Sequence, residues 1–196
     1  MSAIHAVSSP HAVTLGILAG GRATRLGGYD KAWLERAGRP LVLGLAQDFA
    51  QHVDAILVSA NRNQERYLAH GLRVIHDRVD GVGPLGGLEA LAAACRSTWL
   101  LTLPVDVLHV PGDLIEALSA SEAGAFAEDD DGTQPLVALW RVDTLREEAA
   151  IAIDAGELAV HALQSRLGMA RVRVDGVRFG NLNTPEDLTA AGIDMP

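Results

Sequence analysis

The run LGILAGGRATRLGGYDK, residues 15–31, sets glycines at 20, 21, 27 and 28 and cations at 22, 25 and 31 just behind an apolar stretch. Glycine lets backbone N–H groups turn inward and approach an anion with no Cβ in the way. From Arg22 to Lys31 three cations face one acid, a local charge of +2 in a chain whose formal net charge is −9. Charges more than about 8 Å apart are largely screened at physiological salt, so the local count decides what such a loop attracts. Lys31 is the only lysine; the rest of the 16 basic residues are arginines. A compact ammonium at the end of a glycine loop suits a point contact with a phosphate. The loop fits neither the G-x-G-x-x-G dinucleotide fingerprint nor the P-loop, which needs Ser or Thr after its lysine where this chain has Ala32.

A second candidate is Asp106, which ends the apolar run WLLTLPVD. Magnesium usually takes one or two carboxylates and completes its shell with phosphate oxygens and water, so a lone carboxylate at a strand end suits it. The competing role, a helix cap, falls better to Asp113 ahead of a helix over 114–120. Asn181 and Asn183 alternate along an extended segment. They precede Thr184, Pro185 and Asp187, which spell an N-cap, a first helical position and a capping box. No Ser–His–Asp order or Cys–His pairing stands out, so a covalent nucleophile is not indicated. His76 reads as a packed or partly exposed strand residue, His109 stays open, and Trp33, Trp99 and Trp140 fall on apolar faces as core.

The elements that must carry these residues alternate between strand and helix. Apolar runs predict strands at 13–19, 55–60, 72–76, 99–104, 123–128, 135–140 and 170–174, and helical patterns fill 41–52, 62–70, 86–95, 112–120, 142–153, 158–167 and 185–191. That order predicts an α/β fold: a three-layer, mostly parallel, Rossmann-like sheet with an antiparallel excursion where 123–128 meets 135–140. Ligands of such sheets bind beyond the carboxyl ends of the strands, which is where the glycine loop, Ser59 to Arg62, Asp77 and Asp106 fall. EDDDG, 128–132, reads as a solvated turn. The chain of 196 residues, 48% apolar, is read as a single domain over 13–196 behind an N-terminal extension over 1–12. One cysteine rules out a disulfide framework, no apolar run nears the ~18 residues of a membrane span, and the acidic balance argues against nucleic acid. A cytoplasmic protein is the expectation.

LAGGRATRLGGYDK resembles the signature of nucleotidyltransferases that attach nucleoside monophosphates to phosphorylated acceptors. With the double glycine before YDK, and SANRNQERY, VIHD, GPLGGL, PVDVLHVP and NLNTPEDL following in order, the chain is similar to the molybdenum cofactor guanylyltransferases over nearly its whole length. The resemblance implies transfer of GMP from GTP to the terminal phosphate of molybdopterin, with release of pyrophosphate and Mg2+ as cofactor. It also implies docking with molybdoenzyme clients and upstream cofactor-synthesis enzymes. Leu18, Ala19, Gly20 and Gly21 would meet the nucleotide, with Arg22, Arg25 and Lys31 gathering its phosphates. Asp77 would lie in the guanosine site beside the glycines of 81–87, Gly83 among them. Asp106 would bind the metal, with Asn181 and Asn183 near it or the acceptor phosphate. Ser59 stands where the family often has an asparagine, with Asn61 two residues on. A hydroxyl is shorter and lacks the amide's paired donor and acceptor. On the residues alone, Asp77 could accept from guanine N–H groups, from a ribose, or serve as a self-satisfied turn residue. The rival readings are a cytidylyltransferase or sugar-phosphate nucleotidyltransferase of the same fold, and a non-catalytic nucleotide-binding assembly partner.

Overall fold

The computed structural model describes residues 12–20, 30–180 and 182–193. Seven strands form one sheet in the order β5-β4-β1-β6-β8-β7-β9: β1 Val13–Leu18, β4 Ala55–Ser59, β5 Arg73–Ile75, β6 Trp99–Pro104, β7 Gly124–Asp129, β8 Gly132–Arg141 and β9 Ala170–Arg173. β8 alone runs against its neighbours, β6 and β7, and every other pairing is parallel. The expected mixed sheet with an antiparallel excursion is therefore the observed one. A small hairpin, β2 Glu35–Arg36 and β3 Arg39–Pro40, stands outside it.

Side-chain alternation splits the core into two layers. Leu15 and Ile17 of β1 pack with Leu101 and Leu103 of β6 on one face, covered by α1 Leu41–Phe49 and α2 Gln64–Ala69. Leu100 of β6 and Trp140 of β8 look the other way, toward α3 Pro84–Ala94, α5 Val142–Asp154 and α6 Val160–Arg166. Gly16 lets α3 press on β1; a Cβ there would lie 2.9 Å from Leu91 Cδ1. The buried positions of α1, Leu41, Val42, Leu45, Ala46 and Phe49, repeat at helical spacing. In α3 every residue from Leu85 to Ala92 is buried, because the helix lies between the sheet and α5. Thr102, wholly buried in β6, donates to Leu136 O at 2.8 Å and accepts from Trp140 Nε1 at 2.7 Å, so its hydroxyl is satisfied in an apolar layer. All three tryptophans are buried, as expected. Among the described residues no helix is long and apolar enough to cross a membrane.

Most sequence boundaries hold to within two residues. α3 begins at Pro84 rather than 86, since proline is favoured at the first helical position. α4, Leu114–Leu118, is shorter than expected, and Asp113 sits at its N-cap position without a side-chain capping bond. The β2–β3 hairpin escaped notice because Ala37 and Gly38, both at positive φ, make its turn without the usual Asn-Gly or Asp-Gly signal. EDDDG differs in kind. Asp129 is completely buried, its carboxylate receiving the Phe179 N–H at 2.9 Å, the Asp131 N–H at 2.9 Å and Gln134 Nε2 at 3.1 Å. Burial alone would raise this carboxyl, but the donors from Phe179, Gln134, Asp131 and Gly132 outweigh it and hold it below its ordinary value.

Gly124 opens β7 at φ +90°, and a Cβ built on it would lie 2.5 Å from the Leu139 carbonyl oxygen. Gly124→Ala should therefore lower stability by roughly 1–3 kcal/mol, the usual cost of a forced backbone conformation. Urea denaturation would show it as a lower midpoint at unchanged slope.

Candidate active site

The strands nearest the crevice end in one row: Ile75, Ser59, Leu18 and Pro104 are successive partners across β5, β4, β1 and β6. Pairing continues one step past the ends, through Ala60 N–H to Ile75 O, Ala19 N–H to Ser59 O and Val105 N–H to Leu18 O. The strands that follow β1 lie on its β4 side and those that follow β6 lie toward the other edge, so the chain diverges between β1 and β6. An open α/β sheet has its ligand crevice at such a point.

Three groups from distant segments meet there. Lys31 Nζ donates to Asp106 Oδ2 at 2.8 Å and to Asn183 Oδ1 at 3.1 Å, across 75 and 152 residues of chain. The Lys31 and Asp106 side chains retain 20% and 17% of their accessible surface, enough shelter that the pair is not merely a solvated surface contact. Lys31 opens a single 3-10 turn, Lys31–Trp33, whose start is capped by Asp30: Oδ1 accepts from Ala32 N–H at 3.1 Å. The other oxygen of Asp30 accepts from Asn63 Nδ2 at 2.8 Å, and Asn63 precedes α2 at φ +54°. Trp33 completes the attachment, with the Arg66 guanidinium 4.1 Å from its ring centroid and Tyr67 at 4.9 Å. Burial and the nearby Asp30 charge push the Tyr67 hydroxyl far above its ordinary range, so it stays neutral. The turn bearing Lys31 is thus bolted to α2 by a carboxylate–amide bond and a stacked cation.

Asn183 is positioned from the other side. It precedes α7, Pro185–Ala190, where Thr184 and Asp187 form the anticipated capping box. Asp187 Oδ2 accepts from Thr184 N–H at 2.9 Å and from Asn183 N–H at 3.0 Å, so the cap also fixes the Asn183 backbone. Those two backbone donors, Thr184 first, hold the Asp187 carboxyl below its ordinary value, and the Lys31 charge adds to them.

A second polar cluster lies at the ends of β4 and β5. Asn61 clasps Asp77 twice: Nδ2 donates to Oδ2 at 2.9 Å, and Oδ1 accepts from the Asp77 N–H at 3.0 Å. Ser59, buried, donates to Asp77 Oδ1 at 3.3 Å. Asp77 is therefore not a turn residue satisfied within its own loop. The first turn of α3 presses against this cluster, since a Cβ on Gly87 would stand 2.7 Å from Ser59 Oγ and one on Gly86 would stand 3.2 Å from Asp77 Oδ2. Gly83, at φ +62°, starts that turn. The 77–83 loop is tied down by Arg78, which reaches the buried Glu89 of α3 through Nε at 3.0 Å and through a second contact between Nη2 and Oε1. Gly20 lies alongside, where a Cβ would sit 3.9 Å from Ser59 Oγ.

Of the residues expected at a site, Lys31, Asp106 and Asn183 converge, Ser59, Asn61 and Asp77 converge, and Leu18, Ala19, Gly20 and Gly83 border the second group. Gly21, Arg22, Arg25 and Asn181 lie outside the described residues. The His76 and His109 side chains are exposed, His76 Nε2 pairing with Gln64 Oε1 at 3.0 Å. Sequence reasoning missed Asp30 and Asn63, whose only signals are a polar residue beside the lysine and one before a short helix. It also missed Glu89, hidden in an apolar helix.

Two polar clusters thus line the carboxyl ends of a mostly parallel seven-stranded sheet, one at the β1–β6 gap and one past β4 and β5. Residues 15–170 match the model of the MobA-like NTP transferase domain, and the chain belongs to that family. It is similar to the molybdenum cofactor guanylyltransferase of Cereibacter sphaeroides, 41% identical over 181 residues, covering 89% of this chain and 93% of that one. The protein of that name from Yersinia pseudotuberculosis serotype O:1b (strain IP 31758) is 35% identical over 177 residues, covering 87% and 90%. In fold it is similar to molybdopterin-guanine dinucleotide biosynthesis protein A from Archaeoglobus fulgidus, at TM-score 0.71 and 20% identity, covering 91% and 96% of the two chains. It is likewise similar to 2-C-methyl-D-erythritol 4-phosphate cytidylyltransferase from Thermus thermophilus, at TM-score 0.68 and 18% identity over 90% and 95%. The protein is a nucleotidyltransferase enzyme.

The capping box carries a titration signature. A carboxyl held low in the folded state contributes stability that is present above the unfolded value of about 3.9 and is lost as pH falls through the folded value. The Asn183 and Thr184 amide resonances should shift together in one step below pH ~3.9, and Asp187→Asn should abolish the step. NMR titration of the backbone amides checks both.

Proposed function

We propose that this protein transfers GMP from GTP to the terminal phosphate of molybdopterin, releasing pyrophosphate. The convergence of Lys31, Asp106 and Asn183 beside the Ser59–Asn61–Asp77 cluster carries the reading. A triphosphate needs a cation and a divalent-ion site together, and a base needs fixed acceptors a few ångströms further along the same strand ends. The names of the relatives at 41% and 35% identity support the nucleotide and the acceptor.

In this reading Asp77, oriented by Ser59 and Asn61, accepts hydrogen bonds from the guanosine, while the backbone of Leu18, Ala19 and Gly20 lies along it. Arg22, Arg25, Lys31 and the N–H groups of the glycine loop gather the triphosphate. A terminal phosphate oxygen of the acceptor attacks the α-phosphorus. A new P–O bond forms, the α–β bridging P–O bond breaks, and its electron pair leaves with pyrophosphate. The acceptor is already ionised at neutral pH, so no general base is required; positioning and charge neutralisation do the work. The donor set at Asp106 suits Mg2+. A carboxylate and the Asn183 amide oxygen already share one cation, the Lys31 ammonium, and both are the hard oxygens magnesium prefers. Mg2+ held by Asp106 would offset charge on the transferring and leaving phosphates.

Pyrophosphate release on mixing the protein with GTP, Mg2+ and molybdopterin tests the assignment, and thermal shift with GTP, CTP, ATP and UTP tests the base. GTP should stabilise most; a CTP preference would move the assignment to a cytidylyltransferase. Lys31→Ala should slow transfer by at least ~100-fold, as for one oriented charge at a transition state. Asp106→Asn should stay folded and lose metal-dependent transfer, which circular dichroism and Mg2+ titration of the rate would show.

A further inference from the structure

Asp129 lies in no polar cluster of the active site, yet its hydrogen bonds lead there. Its Oδ2 accepts from the Phe179 N–H at 2.9 Å, and the other face of the same residue, the Phe179 carbonyl, accepts from Leu108 N–H at 2.6 Å and His109 N–H at 3.2 Å. Leu108 and His109 are two and three residues beyond Asp106. Beyond Phe179 the chain passes Gly180, at φ +78°, where a Cβ would lie 3.2 Å from Leu108 Cδ1. It then passes Leu182, fully buried, and reaches Asn183, whose Oδ1 meets Lys31 Nζ. The Phe179 peptide therefore joins one buried carboxylate to the loop that follows Asp106 and to the segment that leads to Asn183.

The fixation is directional. Asp131 N–H and Gln134 Nε2 occupy Oδ1 of Asp129, at 2.9 and 3.1 Å, which sets the plane of the carboxylate and aims Oδ2 at Phe179. Past Val174, whose N–H meets Glu128 O at 2.8 Å, residues 175–180, 182 and 183 lie outside every helix and strand and are held by separate bonds rather than by a ladder. A second bond, Asp130 N–H to Val177 O at 3.1 Å, comes from the same turn. Simple stabilisation of the β7–β8 turn would need only the Asp131 and Gln134 donors; the Phe179 contact serves a segment 50 residues away.

We infer that Asp129 is a positioning residue for nucleotidyl transfer, acting through Phe179 to set Asp106 and Asn183 around the divalent ion. The inference rests on the site reading given above. Groups that orient metal ligands typically change metal affinity or activity 10- to 100-fold when altered. Asp129→Asn keeps the size but turns an amide N–H2 toward donors, so it should raise the Mn2+ concentration needed for half-saturation by roughly 10-fold or more. The KM for GTP should change little, because Ser59, Asn61 and Asp77 hang from β4 and β5. Mn2+ binding to the full chain with a non-hydrolysable GTP analogue, followed by electron paramagnetic resonance, gives the readout without turnover.

Wild-type protein should show a nucleotide-dependent Mn2+ site that Asp106→Asn removes; if it does not, the site reading fails and this inference with it. If it does, and folded Asp129→Asn binds Mn2+ as wild type does, the inference alone is overturned, even should its melting temperature fall. Should Asp129→Asn not fold, Gly180→Ala strains the same joint from its other side. It should raise the Mn2+ midpoint in the same way, and a wild-type midpoint would again overturn the inference.

Discussion

The parallel pairing of β1 with β6 is the constraint on which the site depends. Its register brings Leu18 level with Pro104, and the Val105 N–H bond to Leu18 O extends it to the residue before Asp106. The chain leaving β1 turns toward the β4–β5 edge of the sheet and the chain leaving β6 turns toward the β7–β9 edge, which leaves a gap between the two strand ends. The loops leaving the two strands can therefore face each other, and the 2.8 Å contact between Lys31 and Asp106 is the result. Shifting that pairing by one residue would turn Leu15 and Ile17 out of their layer and carry the β6 loop away with them. The apolar core and the polar contact thus specify the same register.

On the β4–β5 side, shape is set by what is missing. Gly86 and Gly87 let the first turn of α3 close on Asp77 and Ser59, where a Cβ would crowd the first and collide with the second. Helix interiors disfavour glycine by about 1 kcal/mol relative to alanine, so two in succession are a local cost against propensity. The bond between Arg78 and the buried Glu89 anchors the loop that leads into the helix. Ser59 also fits this apposition: a Cβ on Gly87 would lie 2.7 Å from its oxygen, so a longer side chain in its place would need other room. Asn61 supplies the paired donor and acceptor that the hydroxyl lacks, two residues further on.

Strand and helix positions were legible in the sequence because the sheet is buried on both faces and its strands are nearly continuous apolar runs, as in WLLTLP. The single antiparallel strand was legible from two strands joined by a short turn. Lys31, Asp106 and Asp77 could be found because each combines a charge with the end of such a run. What pins them could not. Asp30, Asn63 and Glu89 act through partners 33, 33 and 11 residues away, which no local periodicity reports. Asp129 was read as solvent-facing because four acids in a row before a glycine have that composition, whereas its donors come from Phe179, Asp131 and Gln134. Composition predicts exposure only where no backbone N–H group arrives to replace water.

The two sides of the crevice are consequently built by different physics. Ser59, Asn61 and Asp77 stand on strand ends, where ladder bonds and apolar packing fix the backbone first and the side chains follow. Asn183 stands on irregular chain, fixed by Asp187 through two N–H bonds and by the Phe179 peptide through three. Hydrophobic contact is non-directional and leaves a coil free to slide along the surface it covers. Hydrogen bonds to a carboxylate impose direction, and a buried one left without its donors is costly enough that the arrangement holds together or not at all. A side chain that must meet an ammonium from 152 residues away needs that kind of restraint. Asp106 thus meets a cation, whereas Asp129 and Asp187 hold still backbone that has no ladder of its own.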